Sequence, residues 1–96
     1  MAIDIDTDPD RPAFPPGDYL AEEIEARGWS QRELARRMHR PYQVINEIIH
    51  GKKAVTAETA IALEEVLQMD ARLWLNLQAS YDLQCARQRL AERAAG

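Results

Sequence analysis

SQRELARRMHRPYQVINEIIHGKK, residues 30–53, is the stretch on which the fold turns. Ser30 is a good N-cap, and Glu33 three residues on makes a capping box: the Ser30 hydroxyl accepts from the Glu33 N–H, and the Glu33 carboxylate reaches back to Ser30. A helix from Gln31 to about Met38 then buries Leu34, Ala35 and Met38 at helical spacing. His39 and Arg40 break it. Pro41 suits the first turn of the next helix, which buries Val44, Ile45, Ile48 and Ile49 and stops at Gly51. The outcome is two short helices joined by a turn of three or four residues.

Outward from this pair, the chain reads as helix on both sides. Pro15 and Pro16 open a helix over 17–27, with Leu20, Ala21 and Ile24 on one face, and Gly28 ends it where a positive φ has no steric cost. Asp18, Glu22 and Glu23 lie in its early turns, where the helix dipole favours negative charge. Downstream, Thr56 caps a fourth helix that carries Ala60, Ile61, Leu63 and Leu67 inward. Asp70 caps a fifth over about 71–94, running through Leu73, Trp74, Leu77 and Tyr81 toward Leu90. No strand pattern competes. The expected fold is all-α: a five-helix, lambda-repressor-like domain over 16–96 with an extended C-terminal helix, preceded by an acidic tail over 1–15.

The short pair is a helix-turn-helix, about residues 31–50, in which the second helix enters the DNA major groove. Counted from Gln31, apolar positions 4, 5, 8, 15 and 18 are Leu34, Ala35, Met38, Ile45 and Ile48. Ala35 fits because two helices crossing near a right angle leave room for a small side chain only. Position 9, usually Gly because the chain is left-handed there, is His39, at a cost of about 1 kcal/mol. With Val44, Ile45, Ile48 and Ile49 inward, the second helix turns Tyr42, Gln43, Asn46, Glu47 and His50 outward. Gln43 and Asn46 can pair with adenine, Tyr42 can pack on a thymine methyl or bond a phosphate, and Glu47 can accept from cytosine or repel a wrong register. Phosphate contacts are expected from Gln31, Arg32, Arg36, His50, Lys52 and Lys53, which flank the groove.

The composition agrees with a binding protein and excludes most enzyme classes. Ninety-six residues hold one core. No apolar run is long enough to span a membrane, and 1–14 lacks the apolar stretch of a secretory signal. One cysteine and two histidines give no disulfide within the chain and no zinc set; neither a nucleophile–base pair nor a metal or cofactor site is expected, and the lone Cys85 fits a reducing cytoplasm. The net charge of −4 is segregated. Residues 1–26 hold eight acids against one Arg, whereas 27–53 hold seven bases against two acids. An acidic chain with a basic middle still attracts a polyanion, since potentials act over roughly 8–10 Å.

From residue 14 to 82 the chain resembles the HigA family of type II antitoxins, the plasmid-maintenance antidotes of the VapI kind, within the Xre/Cro helix-turn-helix class. The carrying stretches are PPGDYLAEEIEARGWSQRELARRM, INEIIHGKKAVTAETAIALEEVL and WLNLQASYDL. The resemblance implies a homodimer without catalytic activity that binds operator DNA, represses its own operon and neutralises a RelE-like (HigB-type) toxin, a ribosome-dependent mRNA endonuclease. The residues themselves lend support. Trp74, Leu77 and Tyr81 are expected to complete the monomer core, while Leu83 and Leu90, seven apart, are expected at a two-fold interface that sets two recognition helices about 34 Å apart. A basic toxin would meet the acidic surface of Asp4, Asp6, Asp8 and Asp10 with Glu22, Glu23 and Glu25. A stand-alone Xre-type repressor without a toxin shares every DNA feature; a helical adaptor that binds no DNA has only Glu47 and the acidic charge in its favour.

Overall fold

In the computed structural model, which describes residues 14–95, the chain forms five α-helices and, among the described residues, no strand: α1 (Pro16–Ala26), α2 (Gln31–Met38), α3 (Tyr42–Ile49), α4 (Ala57–Leu67) and α5 (Ala71–Ala95). The acidic stretch before Phe14 lies outside the described residues. No described helix is long and apolar enough to cross a membrane.

The caps explain where the helices begin. The Ser30 hydroxyl accepts from Glu33 N–H at 3.1 Å and the Thr56 hydroxyl from Thr59 N–H at 3.3 Å. At α5 two carboxylates share the work: Asp70 Oδ1 accepts from Arg72 N–H at 2.8 Å and Glu64 Oε2 from Ala71 N–H at 3.0 Å. The Arg72 side chain also bonds Asp70, and this pairing holds the Asp70 carboxyl below its usual range. The capping box forms only by half. Instead of reaching back to Ser30, the Glu33 carboxylate accepts from Arg36 and Arg37, because two guanidiniums within one turn offer charge-assisted bonds that outweigh a neutral N–H. Those bonds, with Arg36 the larger cause, hold the Glu33 carboxyl below its usual range. Pro41 also sits one place earlier than expected, as the extended N-cap of α3 with ψ 144°, rather than in its first turn.

The chain leaves α2 through His39 at φ 56°, ψ 42°, the left-handed geometry expected of that turn position. Gly28 and Gly51 take positive φ at the ends of α1 and α3; Gln68 does the same after α4, which nothing in its side chain foretells.

One core lies between the helices: Leu20, Ile24, Leu34, Ala35, Met38, Ile45, Ile48, Val55, Ala60, Leu63, Leu67 and Trp74. Val44 and Ile49 are half-buried at its edge. Trp74 has no exposed surface and tilts against Tyr19 with ring centroids 5.4 Å apart, tying α5 to α1. Leu77 packs on the same core, while Tyr81 is half-buried beyond it. Ile61 departs from expectation: it is 52% exposed, since Glu58, Glu64 and Glu65 on either side of it mark the outer face of α4. Leu83 and Leu90, 47% and 61% exposed, stand out from the core along α5.

Gly17 fixes how α1 meets α3. A Cβ on Gly17 would lie 2.1 Å from the carbonyl oxygen of Ile48 and 2.8 Å from Cα of Ile49. The start of α1 therefore rests directly on the backbone at the end of α3.

Candidate nucleic-acid interface

The core holds α3 by Ile45 and Ile48, which leaves its opposite side open. Tyr42 and Gln43 are exposed there; Asn46 and Glu47 are half-buried, and His50 follows at the exposed end. The four outward residues of α3 and His50 at its C-cap thus share one face.

A polar bridge links that face to α2. Asn46 Nδ2 donates to Gln31 Oε1 at 2.9 Å and, more weakly, to the Tyr42 hydroxyl at 3.4 Å. The bridge occupies one amide group on each side chain, so Asn46 keeps its oxygen and Gln31 its nitrogen for other partners. The Arg32 guanidinium lies 4.4 Å from the centre of the Tyr42 ring, a cation–π contact that again joins the starts of α2 and α3. Gln31, Arg32, Tyr42 and Asn46 therefore form one connected array across the two helices.

The flanks differ from one another. Lys52 and Lys53 are exposed in the turn after α3, and their backbone N–H groups donate to the Glu47 carbonyl at 2.8 and 3.2 Å. Neither ammonium has a carboxylate partner among the described residues. Arg36, by contrast, is tied to Glu33, which offsets part of its charge. The Nδ1 of His50 donates to the Asn46 carbonyl at 2.8 Å, leaving Nε2 as the free ring nitrogen. Val55 N–H donates to Gln78 Oε1 at 2.7 Å, so the turn that carries the lysines is anchored to α5.

Gln78 is one of the residues that the sequence pattern does not single out. A second group is the stack at the α1–α2 corner. The Trp29 ring has the Arg37 guanidinium 4.1 Å from its centre and that of Arg27 5.8 Å away. Arg27 also bonds Glu23 at 2.6 Å and donates to the Leu67 carbonyl at 3.0 Å. The corner is thereby locked to the end of α4, and one of the three acids expected on α1 for a protein partner is already paired. Glu22 and Glu25 remain exposed.

Comparison with known proteins matches this architecture. The helix-turn-helix family HTH_3 matches residues 20–74. Virulence-associated protein I of Dichelobacter nodosus is 41% identical over 78 residues, which cover 80% of this chain and 72% of that protein. An addiction module antidote protein of the HigA family from Coxiella burnetii superposes with a TM-score of 0.81 at 30% identity, over 86% of this chain and 91% of its own. The Pseudomonas aeruginosa antitoxin HigA, solved with the higBA promoter, gives a TM-score of 0.81 at 26% identity over the same shares, 86% and 91%. Proteins of this family are DNA-binding regulators, not enzymes. The chain belongs to the Xre-type helix-turn-helix family, and its fold is that of the HigA-family antitoxins.

Proposed function

We propose that the chain is the antitoxin of a HigBA-type module: a cytoplasmic homodimer that binds operator DNA, represses its own operon and neutralises a RelE-like mRNA endonuclease. The observation that carries the DNA half is the connected array of Gln31, Arg32, Tyr42 and Asn46, with Lys52 and Lys53 exposed in the turn after α3. Tyr42, Gln43, Asn46 and Glu47 contact base edges. The bridge leaves the Asn46 oxygen as an acceptor for an exocyclic amine, and Gln43 is free to pair with adenine. Gln31, Arg32, Arg36, His50, Lys52 and Lys53 meet phosphates, with Lys52 and Lys53 the strongest of them because no carboxylate among the described residues pairs with either. Leu83 and Leu90 form the two-fold seam; their exposure on a helix already packed through Trp74 supports this. The toxin half rests on likeness to the HigA antitoxins and on the acidic residues that precede and occupy α1.

The test is co-expression with the neighbouring gene, that neighbour tagged and this chain untagged, followed by mass measurement by light scattering. A stoichiometric complex, with the neighbour toxic when expressed alone, is the expected result. A free dimer beside a harmless neighbour would leave a stand-alone repressor.

A further inference from the structure

The second half of α5 carries an apolar row and, beside it, two opposite charges that the body of the molecule leaves unused. Ala79, Leu83, Ala86 and Leu90 recur at steps of four and three and so form one row along the helix. Both leucines are exposed. On one flank of the row lie Asp82 and Arg89, seven residues apart and therefore on the same side. Arg89 is exposed and, among the described residues, has no ion pair. Asp82 Oδ1 accepts from Gln78 Nε2 at 2.9 Å, which leaves Oδ2 for a second donor.

A second copy of α5 fits this row better in one direction than in the other. In a parallel pair each residue lies level with its own copy, so Arg93, which continues the row, meets the other Arg93 at the seam. An antiparallel pair with Leu83 opposite Ala86 of the second copy, and Leu90 opposite its Ala79, sets a large side chain over a small one at every layer. Arg93 then meets Asn76, whose amide oxygen can accept from it. Reversal also brings opposite charges together: Asp82 lies two residues, about 3 Å along the axis, from level with Arg89 of the other copy, and symmetry repeats the pair. The two Trp74 anchors stand about 31 Å apart along the axis at ~1.5 Å per residue, the scale of half-sites one DNA turn apart.

We propose that α5 pairs antiparallel with a second copy in this register, Arg89 of each copy bonding Asp82 of the other. This deepens, and rests on, the two-fold seam proposed for Leu83 and Leu90. The bond reaches past the seam. Asp82 holds Gln78, and Gln78 Oε1 accepts from Val55 N–H at 2.7 Å, at the end of the turn that carries Lys52 and Lys53. Each copy thereby lends the other a guanidinium whose charge-assisted bond fixes Asp82, and through Gln78 the turn with the two lysines. Pairing and the posture of the basic turn are one event.

Direction is read by crosslinking full-length chains in which Cys85→Ala removes the native thiol. One chain carries Asn76→Cys, the other Arg93→Cys, and the two are mixed in a glutathione redox buffer. Disulfides between the two variants, with little of either joined to itself, are expected. Each variant joined to itself overturns the direction while keeping a seam on α5. No crosslink in any mixture fails the seam, and the proposal with it. Sedimentation reads the ion pair: Arg89→Asp and Asp82→Arg should each weaken dimerisation about three- to tenfold at low salt, the range that two exposed charge pairs allow. The double variant exchanges the charges and should recover most of the loss; no recovery removes the pair. The Val55 amide signal reads the support of the turn. It should shift in Arg89→Ala at concentrations where that chain is still a dimer, and an unmoved signal overturns the link to the lysines.

Discussion

Gly17 and His39 mark the two places where a single side chain is set against the backbone. At Gly17 even a methyl group meets main-chain atoms, which cannot swing aside. Gly17→Ala is expected to cost about 1–3 kcal/mol, lowering the melting temperature by several degrees and weakening DNA binding in parallel, as read by thermal denaturation and anisotropy. At His39 the strain runs the other way. A left-handed His is less stable than Gly by about 1–2 kcal/mol, part of which returns as extra freedom of the unfolded chain. His39→Gly should therefore raise stability by about 0.5–1 kcal/mol, a gain of a few degrees in the same melt. Asn46→Ala removes a bond to Gln31 and the proposed base contact. Expected is a loss of about 1–3 kcal/mol in operator affinity, with relaxed preference at one base pair, measured against a panel of single-base variants of the operator.

At the scale of elements, α5 serves two ends. Its first half is pinned by Trp74 and by Gln78, which holds the turn after α3; its second half projects Leu83 and Leu90. Leu83→Glu with Leu90→Glu should leave the helical spectrum intact, halve the sedimentation mass and abolish tight operator binding. An unchanged mass would remove the seam from α5. The helices themselves were legible in the sequence because caps and breaks are local: Ser30, Thr56, Asp70, Gly28 and Gly51 act within a turn of their own positions. The face of α4 was not, because Ala57, Ala60, Ile61, Ala62, Leu63, Val66 and Leu67 are apolar nearly all round; the three glutamates, rather than the apolar spacing, identify Ile61 as outward. The outward residues of α3 followed from its period, but their linkage did not. Gln31 and Asn46 are fifteen residues apart, and Gln78 reaches Val55 across twenty-three; such contacts exist only once the helices have packed.

For the whole molecule, the division of charge matters more than its sum. The chain is acidic at −4, yet residues 27–53 hold seven of its twelve bases against two acids. DNA affinity should fall steeply with salt, with a slope of about −0.9 per phosphate neutralised, so a dimer with ~6–10 contacts gives a slope of about −5 to −9. Titration of operator binding against salt checks this, and a slope near zero would point to an adaptor instead. The seat of α3 on Gly17 has a last consequence, one for descent rather than for binding. Because backbone rests on backbone there, the pose of α3 is set apart from the side chains on its outward face. If Gln43 and Glu47 read bases as proposed, lineages of this fold can exchange them, and with them the operator they answer to, while inheriting the same angle of approach.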